Sequence, residues 1–146
     1  MYEGETPLRG PWPTNAWGVA QFSWILPDYC TGSALHIHTK VFTDWAPQPN
    51  GTFKTRRLAH TGQCFFDDGI SETINKVWPY STNPIHATHG RVCNWNDGLN
   101  VFNDTHCPEG HYDPVFRLEK LDTIIDQGVV GSVTMGINAS AAYALA

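Results

Sequence analysis

Short runs of alternating apolar and polar residues, cut by glycine and proline, constrain this chain more than any other feature. Val, Ile, Phe, Trp, Tyr and Thr supply 49 of the 146 residues, and Gly and Pro a further 23. That balance of β-formers and turn-formers is the composition of an all-β domain with long loops. In residues 18–26, Ala20, Phe22, Trp24 and Leu26 fall on one face and Val19, Gln21 and Ser23 on the other, the period of a half-buried strand. Pro27-Asp28 ends the run. Residues 36–42 alternate in the same way, Ile37, Thr39 and Val41 opposing His36, His38 and Lys40. Residues 61–66, 115–118 and 129–137 read as further strands, and residues 46–52, with two prolines and Asn-Gly, as a loop. Ile70, Ile74 and Val77 recur at the spacing of a short helix, with Asp68 or Ser71 as its cap and Pro79 closing it. Residues 80–110 are polar and read mostly as ordered loop. The expected architecture is one domain over residues 1–146, an antiparallel β-sandwich with one short helix.

Charge and hydropathy exclude two classes of partner. A net charge of −5 with nine Lys and Arg leaves no basic patch for a phosphate backbone, so no nucleic acid is expected. No apolar run approaches the roughly 18 residues of a membrane span. The opening residues, MYEGETPLRG, have neither a basic nor an apolar signal region, so no signal peptide is expected in them. Three sequons, at Asn50, Asn103 and Asn138, fit a glycosylated secreted chain, although nine asparagines would produce about one by chance.

Chemistry can gather at few places. Side chains alternate across a strand, so His36 and His38 project from one face about 7 Å apart at Cα. Two imidazoles so placed can clamp one metal ion, or can be two hydrogen-bonded surface histidines; the pattern alone allows both. His86, His89, Cys93, His106, Cys107 and His111 also crowd one stretch, but no C-x-x-C or H-x(3–5)-H pairing frames a zinc site. A Cys93–Cys107 disulfide is the preferred reading there, with Cys30 and Cys64 as buried thiols or a second bridge. Asp67 and Asp68 are adjacent and point apart, which suits a helix cap better than a catalytic carboxylate pair. Arg56-Arg57 reads as two solvated charges.

The segment around the histidines runs Pro27-Asp28-Tyr29-Cys30-Thr31-Gly32-Ser33-Ala34-Leu35-His36-Ile37-His38. Written P-x-Y-x-x-G-x-x-x-H-I-H-x-x-V, it resembles the intradiol ring-cleavage dioxygenases, and most of all their fungal extracellular members. Leu8-Arg9-Gly10, Pro13-Thr14 and Gly18-Val19-Ala20-Gln21-Phe22 match the strands ahead of that motif. His60-Thr61-Gly62-Gln63-Cys64-Phe65-Phe66 is similar to the family's HxGQxFF strand, and Trp78-Pro79-Tyr80 to its helix end. Asn94 to Phe102 and Gly128 to Asn138 match later stretches in the family's order.

The resemblance implies a non-heme Fe(III) site held by two tyrosinates and two histidines. Tyr29 matches the second tyrosine ligand, His36 and His38 match the histidine pair, and Gln63 matches a glutamine beside the substrate pocket. It also implies a catechol-type substrate, O2 as co-substrate and an extracellular location. Tyrosinate suits the role, being a hard anionic donor whose phenol ionises well below pH 10 beside a ferric ion. There are two departures. The family's first tyrosine ligand lies upstream of the LRG strand, where only seven residues precede Leu8 and Tyr2 sits in no such motif. The chain therefore reads as the C-terminal two-thirds of a family member. Ser33 stands where the family has an arginine able to stabilise anionic substrate. These departures motivate a second reading, a degenerate β-sandwich that binds an aromatic ligand or a partner protein without catalysis.

Overall fold

One long hairpin organises the chain. The computed structural model describes residues 10–28, 30–105 and 112–144. Strand β1 (His36–Pro47) pairs antiparallel with β2 (Phe53–Phe65), through a ladder running from His36 opposite Phe65 to Pro47 opposite Phe53. The expected loop begins later than its prolines suggest, because Ala46 and Pro47 still lie in the ladder. Residues 48–52 make the turn. Gln48 N–H donates to Thr52 O at 2.8 Å, and Gly51 supplies the φ of 81° that the reversal requires. The register shifts between Val41 and Phe42, where Ala59 is the extra residue of a bulge.

The two faces of the hairpin have different work. Leu35, Cys64 and Phe66 form a buried cluster with Phe116, joined by Leu26, Ile37, Leu118 and Val133. Leu118 lies on β3 (Arg117–Lys120), which pairs antiparallel with β4 (Val129–Ser132). His36, His38, Gln63 and Phe65 alternate with these core residues and so project from the opposite face. Antiparallel pairing is as expected. The full sandwich is not what the described residues form: they make two separate sheets of two strands each.

Other elements differ from the sequence expectation for physical reasons. Residues 18–26 form no strand. Asn15 Oδ1 accepts from Trp17 N–H and Val19 N–H, both at 3.0 Å, and Gly18 turns the chain at a φ of 76°. Alternation shows which side chains share a face, but a strand also needs a neighbour, and residues 20–25 have no backbone hydrogen bond among the described residues. Strand β4 is shorter than the expected 129–137, and β3 starts two residues after Val115, which makes only a single bridge to Phe65. Helix α1 (Asp68–Ile74) is present, but its cap is Asp67, one residue earlier than expected, whose Oδ1 accepts from Gly69 N–H at 2.8 Å. The polar stretch after Tyr80 is not plain loop. It contains the short helices α2 (Pro84–Thr88) and α3 (Val101–Asp104), the first started by Asn83 and Pro84. No helix among the described residues is long and apolar enough to cross a membrane.

Candidate metal centre

The site begins with the loop that feeds β1. Gly32 adopts a φ of 82°, and its carbonyl accepts from Gly98 N–H at 2.9 Å. A Cβ on Gly98 would lie 2.7 Å from that same oxygen, so only glycine allows this approach. One residue earlier, the Asp97 carboxylate accepts from Ala34 N–H at 2.9 Å and, through its other oxygen, from Leu99 N–H at 3.1 Å. Asp97 is 5% exposed. It thereby fixes where β1 starts, two residues before His36. Asn94 braces the same loop from below, donating from Nδ2 to Phe66 O at 2.8 Å, while its own N–H reaches the Asp68 carboxylate at 3.2 Å. Asp68 also pairs with Arg91.

Loss of Asp97 removes a buried charged acceptor from two backbone donors. Asp97→Ala is expected to cost about 2 kcal/mol, and Asp97→Asn, which keeps one acceptor oxygen, clearly less. Urea unfolding midpoints of the two variants measure this order.

The histidines converge as their spacing allows. His36 Nδ1–H donates to Ala34 O at 2.7 Å, which leaves the lone pair on Nε2. His38 Nε2 lies 3.1 Å from that atom, with the two rings edge to face at 4.6 Å. Gln63, opposite His38 in the ladder, brings its Nε2 to 2.9 Å from the same His36 Nε2. The Gln63 side chain is 5% exposed, yet its Oε1 has no hydrogen-bond partner among the described residues. Phe65 floors the site, its ring 5.7 Å from His36 and 5.6 Å from Phe102 of α3.

Electrostatics favour neutral imidazole at His38. Burial lowers its pKa from 6.5, the neighbouring His36 lowers it further, Asp97 pulls it back up and Lys40 pushes it down. Near neutral pH the ring therefore keeps a lone pair for an ion.

The donors present fit a metal. Two metal–nitrogen bonds of about 2.0–2.1 Å sum to more than 3.1 Å, so one ion can reach both Nε2 atoms without moving β1. The hydrogen bond at Ala34 O orients His36 as a carbonyl or carboxylate orients metal-bound histidines generally. Tyr29, expected as the third ligand, lies outside the described residues. Among the described residues no group of three or more His, Cys, Asp or Glu side chains is arranged to hold a metal.

His86 lies in α2 and His89 caps its end, whereas His106, Cys107 and His111 lie outside the described residues. The expected Cys93–Cys107 bridge therefore falls partly outside them; Cys93 itself has a free thiol, 3.3 Å from Arg91 Nη2. Cys64 is a buried free thiol as anticipated, and Cys30 is free but exposed. Arg57 is not merely solvated, since it pairs with Asp44 at 3.3 Å and donates to Ala139 O at 3.2 Å. Asp97 and Phe102 are site-forming residues that the sequence does not single out as such, although both lie in the stretch from Asn94 to Phe102.

Comparison with known proteins bears on the fold. No model of a known protein family matches the chain, and no curated protein matches it. Among solved structures, the chain is similar to an intradiol ring-cleavage dioxygenase from Tetranychus urticae, with a TM-score of 0.56 and 23% identity over 82% of this chain. The chain spans 47% of that protein's length. At this identity the likeness is one of fold, and the hairpin that displays the two histidines is part of a fold that a dioxygenase also uses.

Proposed function

We propose that this chain contains the iron-binding core of an intradiol-type ring-cleavage dioxygenase acting on catechol-like aromatics, with Tyr29, His36 and His38 as the ligands of Fe(III). The observation that carries the reading is the pair of Nε2 atoms 3.1 Å apart, one of them held in its metal-ready tautomer by Ala34 O. The fold likeness to a dioxygenase and the order of the sequence motifs support it. The intradiol reaction places both atoms of O2 across the bond between the two hydroxylated carbons and yields a cis,cis-muconate-type dicarboxylate. Bound ferric iron would supply the Lewis acid that holds the catecholate and activates it toward O2.

The chain's own residues then have defined tasks. His36 and His38 present nitrogen donors from one strand face, and Tyr29 would add a hard anionic oxygen. Phe102, half-buried and backed by the fully buried Phe65, offers an apolar surface against which an aromatic ring can lie. Gln63 Oε1, buried and unpartnered, is an acceptor that a substrate hydroxyl can satisfy.

Gln63 also competes with the ion. Its amide N–H donates to the lone pair of His36 that iron must take. A hydrogen bond of this kind is worth about 1 kcal/mol net, so Gln63→Leu is expected to tighten Fe(III) binding by roughly fivefold. The same variant should weaken catechol binding, because the acceptor is lost. Competition titrations with a ferric chelator, with and without catechol, measure both.

Metal analysis of the purified chain after exposure to Fe(III), with a visible spectrum, tests the proposal. Bound iron with a tyrosinate-to-iron charge-transfer band is expected; colourless, iron-free protein would sink it. The second reading, a binding module without turnover, is favoured by the uncharged Ser33 and is separated by O2 uptake with catechol and hydroxyquinol. A binding module holds the aromatic and consumes no O2.

A further inference from the structure

The three sequons, alike in sequence, sit in three different structural settings. Asn50-Gly51-Thr52 forms the tip of the β1–β2 hairpin, and all three residues are exposed. Asn50 Oδ1 accepts from Thr52 Oγ1 at 2.7 Å and from Thr52 N–H at 3.2 Å, while its Nδ2 has no partner among the described residues. Among the described residues, nothing outside the turn holds these side chains. Asn138 is also exposed, and its Oδ1 accepts from Ser140 N–H at 3.0 Å. The carbonyl of Ala139 in the middle of that sequon, however, is fastened to Arg57 on β2 at 3.2 Å.

Asn103 differs from both. It lies within α3, and its Nδ2 donates to Trp95 O at 2.8 Å and to Asn100 Oδ1 at 2.9 Å. Thr105, the third residue of its sequon, is 1% exposed, and its hydroxyl donates to Phe102 O at 2.7 Å. In the folded chain, an enzyme reading this sequon would have to unwind the helix end, pull out a buried threonine and break these bonds together.

We propose that Asn50 is the principal N-glycan acceptor of this protein and that Asn103, despite its sequon, is not one. The transfer forms a bond between Asn50 Nδ2 and the anomeric carbon of an oligosaccharide carried on a lipid pyrophosphate. The bond from that carbon to the pyrophosphate oxygen breaks, the lipid pyrophosphate leaves with the electron pair, and Nδ2 gives up one proton. The free Nδ2 and exposed hydroxyl of the hairpin tip meet these demands without unfolding anything. The modification is also compatible with the metal centre. Pro47, the last residue of β1 before this turn, is nine residues beyond His38, about 30 Å along a strand, so a glycan at the tip leaves the histidine face open.

The test is site occupancy in the full chain, secreted from a eukaryotic host behind an added signal sequence. Enzymatic release of glycans in heavy-oxygen water marks each formerly occupied asparagine, and mass spectrometry of the peptides counts it. Asn50 is expected to be the most occupied of the three and Asn103 to be unoccupied. Asn50→Gln should remove the main glycan shift on a gel, Thr52→Ala should do the same, and Thr52→Ser should retain it. These positions are exposed, so far-ultraviolet circular dichroism of each variant should match the parent. An unoccupied Asn50, an occupancy at Asn138 above that at Asn50, or a glycan on Asn103 would overturn the proposal.

Discussion

His38→Ala is expected to weaken Fe(III) binding by at least about 100-fold while leaving the fold intact. The size follows from what is removed. Loss of a residue that merely orients a ligand costs roughly 10–100-fold in metal affinity, so loss of a ligand itself falls at or beyond the upper end. His38 is exposed, and losing its edge-to-face contact with His36 costs about 0.5–1.5 kcal/mol, well short of the roughly 5–15 kcal/mol that holds a domain together. A drop in iron affinity therefore cannot be ascribed to unfolding, and an unchanged urea midpoint would confirm the separation. His36→Ala should lose iron to a similar degree but be less clean, because His36 also packs on Phe65 and bonds to Ala34 O. Equal Fe(III) affinity in the parent and in His38→Ala, measured by chelator competition, would remove the histidine pair from the site.

The histidine pair was legible in the sequence because a strand's alternation is a strict geometric rule. Once residues 36–42 are a strand, His36 and His38 must share a face, and the structure adds only that their Nε2 atoms meet. The reversal after β1 is legible only as a loop over residues 46–52, and nothing local shows that the partner strand, expected at residues 61–66, already begins at Phe53. Long-range pairing was not legible. Residues 18–26 alternate as well as β1 does, yet they join no ladder, because periodicity describes a strand's faces and says nothing about its neighbour. Asp97 was equally hidden: its two backbone partners, Ala34 and Leu99, include one 63 positions away, and no local pattern announces such a bond. Helices α2 and α3 leave no mark in the sequence because each is too short to show an apolar period.

Phe65→Ala is expected to be the most destabilising single change in the hairpin, by about 3–5 kcal/mol, a large part of the roughly 5–15 kcal/mol that holds a domain together. Phe65 is 0% exposed, and two structures depend on it. Its backbone joins the hairpin to the segment before β3, accepting from Phe116 N–H and donating to Pro114 O, both at 2.8 Å. Its ring fills the space between His36 and Phe102. Alanine keeps the backbone bonds but leaves a hole where the ring was, so the cost is one of cavity and lost contact. Phe65→Leu fills more of that space and forfeits mainly the two ring contacts, which are worth about 0.5–1.5 kcal/mol each. Urea unfolding should therefore rank the parent above Phe65→Leu and Phe65→Ala well below both. The same order should appear in Fe(III) affinity. With the floor gone, His36 can tilt away from His38, and two donors held 3.1 Å apart become two donors that must be brought together at the ion's expense. If Phe65→Ala unfolds early but the surviving folded protein binds iron like the parent, the ring supports the hairpin alone and the histidines position themselves.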